Sequence, residues 1–188
     1  MSSSVSRPMS CLPAKLQSIS SGDPLCEAAV DSVIALAIAA ANIATLIRFP
    51  DADVALSAVR GSFNVDGDNQ KALDVLADEM IQNALSEVAA VASYLSEEQD
   101  EAVQMHDDGT VIVASDPLDG SSNIDTNVSI GTIFSILPAA GGYLQAGRNQ
   151  IAAGFFVYGP QTTLLVTFGQ SVMAFQLDDD GEFYAMDW

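Results

Sequence analysis

Residues 116–125 read D-P-L-D-G-S-S-N-I-D, and both the fold and the chemistry of the chain turn on this stretch. Asp116 and Asp119 stand three positions apart, separated by Pro117 and Leu118 and followed by Gly120, Ser121 and Ser122. Pro117 excludes a regular helix interior, so the two carboxylates are expected on a turn where one ion can reach both. Hard divalent cations take oxygen ligands, and Mg²⁺ commonly binds through a carboxylate or two together with substrate phosphate. Gly120 permits close backbone approach, and consecutive N–H groups at a turn or helix start suit an anion. One short loop can therefore hold metal on one side and phosphate on the other. The same residues also suit an Asx-type turn capping a helix that starts near Ser121; the stretch alone leaves both readings open.

Working outward, residues 110–115 form a β-rich run that delivers its C-terminal end into this loop, a common site arrangement in α/β domains. Upstream, residues 31–48 carry helical apolar faces through Ile34, Ile38, Ile43 and Leu46, and Pro50 closes that helix before a connecting region at 51–61. A second helix is predicted from near Asn69, with Leu73, Leu76, Met80, Ile81, Leu85 and Val88 at three- and four-residue steps. Periodicity would carry it through Leu95, yet residues 91–95 suit a strand equally well. Downstream, short apolar or alternating runs at 130–137, 152–158, 162–166, 172–177 and 182–185 are separated by Gly-Gly, Gly-Pro and Asp-Gly turns. Helices first and strands later predict an α+β or layered α/β domain, its N-terminal helices packed on a mixed sheet. There is no internal repeat.

The chain has 188 residues, enough for one domain with a sizeable core. Twenty-five acidic against six basic residues give a net charge of −19, which opposes nucleic acid and anionic membrane as partners, since both reward clustered Lys and Arg. Most of these carboxylates read as solvated surface. Residues 1–22 read as a flexible Ser/Pro-rich arm without the continuous apolar core of a signal peptide. The apolar run at 33–47 falls short of the ~20 residues that span a bilayer and is read as a buried helix. Cys11 and Cys26 lack metal-ligand spacing and are expected as reduced thiols in a cytoplasmic protein. The single histidine, His106, lies in a polar H-D-D-G stretch and reads as solvated loop. A serine nucleophile would need an adjacent base, so neither a Ser-His-Asp hydrolase nor a histidine-rich zinc site is attractive.

The motif at 116–125 closely resembles the signature of the class 1 fructose-1,6-bisphosphatase family, within the superfamily of metal-dependent, lithium-sensitive sugar and inositol phosphatases. D-P-L-D-G is shared across that superfamily, whereas the continuation S-S-N-I-D resembles the bisphosphatase branch. The likeness extends to G-D-N-Q-K-A-L-D-V-L-A-D at 67–78, S-E-E at 96–98, V-S-I-G-T-I-F-S-I at 128–136 and the stretch 150–165. It runs from about Asn64 to the C-terminus and more loosely back to Asp31. It also favours ending the second helix near Ala89, so that 91–95 becomes a strand leading into S-E-E.

The resemblance implies Mg²⁺-dependent hydrolysis of the 1-phosphate of fructose 1,6-bisphosphate, a step of gluconeogenesis and of the Calvin cycle, with Mn²⁺ or Zn²⁺ as substitutes. It implies Glu97, Asp116, Asp119 and the Leu118 carbonyl as metal ligands, Glu98 as activator of the attacking water, and Asp74 as its partner in proton handling. Asp119, Gly120, Ser121 and Ser122 would cradle the phosphate, and Asp68 would approach the metals when the site closes. Asn123 and Asp125 would support the loop rather than ligate. A sugar bisphosphate substrate, a homotetramer and a further C-terminal portion holding the sugar and 6-phosphate are also implied, so the chain reads as an N-terminal segment, the C-terminal half being absent. The alternatives are an inositol- or nucleotide-phosphate phosphatase of the same superfamily and a non-catalytic acidic interaction module.

Overall fold

The computed structural model describes residues 10–19, 22–49 and 68–186, with side chains described for 10–19, 22–49, 73–123 and 127–186. The connection at 51–61 and the start of the resembling segment at 67 lie outside the described residues. The described residues form three α-helices: α1 (Leu12–Gln17), α2 (Pro24–Arg48) and α3 (Asp68–Ser86). Eight strands follow: β1 (Val91–Ser96), β2 (Val103–Gln104), β3 (Val111–Asp119), β4 (Ile130–Pro138), β5 (Ala152–Tyr158), β6 (Thr162–Thr167), β7 (Val172–Leu177) and β8 (Phe183–Ala185). They make one mixed sheet in the order β2-β1-β3-β4-β5-β6-β7-β8. Among the described strands β1 and β3 run parallel, and the other neighbouring pairs are antiparallel. The expected α+β architecture with a mixed sheet is borne out.

Alternation along the strands separates two sheet faces. Ile130, Thr132, Phe134 and Ile136 of β4 point to the helices and are buried, as are Phe156, Leu164 and Phe175. Phe134 and Phe156 pack with ring centroids 5.7 Å apart. α2 lies across β3 to β6, and α3 packs against α2 and against β1 and β3. On the opposite face Ile133, Phe155 and Val172 stay 47%, 41% and 63% exposed. With Leu95, Ala114 and Leu165 they border a shallow concavity of about 740 Å³.

Several boundaries differ from the sequence reading. α2 begins at Pro24, seven residues before Asp31, because Asp23 caps it by accepting a hydrogen bond from the Leu25 N–H at 3.0 Å and Pro24 suits the first turn. At 25 residues α2 is long and apolar enough to cross a membrane by length and composition, yet Val33, Leu36, Ala40 and Ile43 are buried against the rest of the fold. Asp23→Ala is expected to lower stability by about 1 kcal/mol, read as a fall of about 2–4 °C in Tm.

The expectation of a flexible arm over 1–22 is corrected for its second half. Leu12 and Leu16 of α1 are buried, Ala185 N–H donates to the Ser10 carbonyl at 3.0 Å, and Cys11 forms a bridge with Tyr184. A six-residue helix is too short to persist alone, so tertiary burial holds it. Strand β2 was also absent from the sequence reading. His106, read as solvated loop, places Nε2 2.9 Å from the Ser86 carbonyl at the end of α3.

Candidate active site

The signature lies inside a strand rather than after one. β3 continues through Asp119, but its register against β4 shifts: Asp116 pairs with Ile133 and Asp119 with Gly131. Three steps along β3 thus match two along β4, the signature of a β-bulge. Pro117 has no N–H to give to a ladder. The Leu118 N–H turns instead to Asp116 Oδ1 at 3.1 Å, and the Pro117 carbonyl accepts from Thr132 Oγ1 at 2.7 Å. Residues three apart on a regular strand face opposite sides; the extra residue puts Asp116 and Asp119 on the same side, that of Ile133 and Gly131. Asp116 accordingly borders the open concavity, while Asp119 and Gly120 border an adjoining hollow of about 420 Å³.

Gly120 ends the bulge with φ +79°, a conformation that L side chains rarely adopt. A short 3-10 helix, Ser121–Thr126, follows, with the Asn123 N–H on the Gly120 carbonyl at 2.8 Å. Leu118 is buried in the core. Ser122 is exposed, and the Asp125 side chain is outside the described residues.

Two other elements meet the bulge. Where β1 ends, the Glu97 N–H donates to the Ser115 carbonyl at 3.1 Å, and the Glu97 carboxyl lies within hydrogen-bonding reach of Asp116. The Glu98 N–H is held by Ser96 Oγ at 3.1 Å. From α3, Asp74 Oδ2 accepts from Ser121 Oγ at 3.2 Å, while Asp74 Oδ1 is buried without a hydrogen-bond partner. Asp68 opens α3, and its side chain is outside the described residues.

The cluster is electrostatically strained. Asp116 is pushed up to about 6, first by burial and then by the negative charge and proton sharing of Glu97, with Asp119 adding to it. Asp74 is raised by burial, partly offset by the Ser121 hydrogen bond, and raised further by Glu97. Among the described residues, no lysine or arginine acts on either carboxyl. Crowded carboxylates and an orphaned buried oxygen are the chemistry of a divalent-cation site. Among the described residues no three acidic, histidine or cysteine side chains already converge as metal ligands. The described residues fit a hard cation in donor type and in crowded negative charge.

The sequence reading overlooked Asp78, Tyr94 and Gln99. Asp78 is buried, its Oδ1 accepts from the Tyr94 hydroxyl at 2.8 Å, and Gln99 Nε2 donates to its Oδ2. An acidic residue four positions after Asp74, on the same helix face, was the available signal.

A helix layer packed on one mixed sheet is the fold that solved fructose-1,6-bisphosphatases share with this chain. The family model for the N-terminal domain of fructose-1,6-bisphosphatase matches residues 27–187. The chain belongs to the fructose-1,6-bisphosphatase family, as the sequence motifs indicated. It is 48% identical over 151 residues to a class 1 fructose-1,6-bisphosphatase of Cereibacter sphaeroides, covering 78% of this chain and 45% of that protein. It is 47% identical over 156 residues to the class 1 enzyme of Paracoccus denitrificans, covering 81% and 46%. The crystal structure of Leishmania major fructose-1,6-bisphosphatase in holo form superposes with a TM-score of 0.79 at 26% identity, covering 96% of this chain and 55% of that one. The chain thus spans about half the length of the relatives it matches.

Proposed function

We propose that this chain forms the metal- and phosphate-binding portion of a fructose-1,6-bisphosphatase, acting in the hydrolysis of fructose 1,6-bisphosphate to fructose 6-phosphate and phosphate. The observation that carries this reading is the bulge at Pro117, which sets Asp116 and Asp119 on one sheet face beside Glu97. Membership of the family supports it.

In this proposal Glu97, Asp116, Asp119 and the Leu118 carbonyl hold Mg²⁺, with Mn²⁺ or Zn²⁺ as substitutes. A bound divalent cation would polarise the phosphoryl oxygens and neutralise charge on the leaving alkoxide. Gly120 lets backbone approach the phosphate, and the Ser122 hydroxyl, joined by that of Ser121 when it turns from Asp74, offers donors to its oxygens. Glu98 accepts the proton of the attacking water. Asp74, its carboxyl raised and its Oδ1 unpartnered, suits a proton carrier in the same reaction. The apolar walls of the larger concavity offer little to a polyol, so the 1-phosphate and the metals are what the described residues are equipped to bind. A homotetramer, a cytoplasmic setting and a place in gluconeogenesis or the Calvin cycle belong to the same proposal, supported by family membership alone.

Isothermal titration with Mn²⁺ tests it. The parent chain is expected to bind, and the Asp116→Asn, Asp119→Asn double variant at least about tenfold more weakly, about 1.4 kcal/mol. Equal, negligible binding in both would favour an acidic module without catalytic function. Phosphate release from fructose 1,6-bisphosphate compared with inositol 1-phosphate and nucleotide phosphates then fixes the substrate; preference for the latter two would overturn the bisphosphatase assignment.

A further inference from the structure

We infer that the buried hydroxyl of Tyr94 is a positioning group that ties together the three elements carrying the candidate carboxylates. This rests on the metal-site reading given above and goes beyond it, because Tyr94 touches neither phosphate nor metal in that reading.

Tyr94 is fully buried in β1. Its hydroxyl lies 2.8 Å from Asp78 Oδ1 on α3 and 2.8 Å from Ser115 Oγ on β3, and the Ser96 hydroxyl at the end of β1 is also within hydrogen-bonding reach. A phenol has one proton to donate. That proton goes to Asp78, so Ser115 and Ser96 donate into the phenolic oxygen. Burial holds the Tyr94 hydroxyl well above the usual phenol range, which keeps it a donor. Each partner stands next to a candidate site residue. Asp78 is one helical turn beyond Asp74, Ser115 immediately precedes Asp116, and Ser96 Oγ holds the Glu98 N–H. Gln99, just after the two glutamates, donates to Asp78 Oδ2 and to Gln82 Oε1, closing the network around the same helix turn. A side chain in the apolar layer could fill this space, but it would not fix the distance from α3 to two strands at once. Directional bonds in a desolvated core do so.

The experiment compares amide hydrogen exchange and Mn²⁺ affinity in the parent chain, Tyr94→Phe and Ser115→Ala. Asp23→Ala serves as a remote variant of lowered global stability. Positioning predicts that exchange over residues 116–123 rises at least fivefold in Tyr94→Phe and in Ser115→Ala, with residues 152–177 within twofold of the parent. Mn²⁺ affinity should fall at least threefold in Tyr94→Phe at a temperature where circular dichroism shows it folded, and remain unchanged in Asp23→Ala. A uniform rise in exchange across the sheet, as a purely structural role predicts, would overturn the inference. So would unchanged exchange at 116–123 in both site variants. If the parent binds no Mn²⁺, the metal reading fails, and the exchange pattern still decides the role of Tyr94.

Discussion

Asp116→Asn is expected to melt at a higher temperature than the parent chain at pH 7 without divalent cations, and to lose the stabilisation that Mn²⁺ gives the parent. Folded Asp116 holds its proton up to about 6, against 3.8 for an ordinary aspartate. Between those values the folded chain binds more protons than the unfolded chain. Stability therefore falls as pH rises through that window and stays reduced above it. At about 1.4 kcal/mol per pKa unit the gross effect is near 3 kcal/mol, and solvent screening of this half-buried group brings it to roughly 1 kcal/mol. Asparagine keeps an oxygen for the Leu118 N–H and removes the charge facing Glu97. A rise of about 2–4 °C in Tm at pH 7 is the expected reading, with no difference between the two chains near pH 4. Mn²⁺ at ten times its Kd should stabilise the parent by about 1.4 kcal/mol and the variant hardly at all. A variant that melts below the parent at pH 7 would show that Asp116 serves stability rather than charge storage.

Gly109→Ala should be far more damaging than its size suggests. A Cβ there would overlap the backbone N and Cα of Ala92 and come within 2.6 Å of the Val91 carbonyl carbon. Backbone cannot rotate away as a side chain can. The position is also where β3 starts beside β1, opposite the irregularity between Val91 and Ser93. Separating these strands breaks the Thr110 N–H bond to the Ala90 carbonyl, now 2.7 Å, and displaces the pair that carries Glu97 and Asp116. A cost of about 3 kcal/mol or more is expected, measured as a fall in the urea midpoint at unchanged slope. A loss below about 1 kcal/mol would mean that the two strands separate at little cost.

Much of the fold was legible in the sequence because its elements bury one regular face. β5 and β7 fall where alternation put them, and α3 ends before β1 as the family likeness required. The first turns of α2 were missed although Asp23-Pro24 is a start signal, since the Ala-rich run after it carries few large apolar residues to mark a stripe. α1 was missed for a different reason: Leu12 and Leu16 acquire their partners only from the assembled domain. Within the candidate site, the spacing of Asp116 and Asp119 pointed to one ion. The means of bringing them together was hidden, because a proline reads as the end of a strand when here it produces a bulge within one. Tyr94 and Asp78 were overlooked because only tertiary contact joins them.

Ser10 and Cys11 lie along β8, the last strand in sheet order among the described residues. An uncovered outer strand is a template for pairing with another molecule. Ser10 and Cys11 therefore shield part of that edge from pairing with a second molecule, at a place more than 170 residues away in sequence.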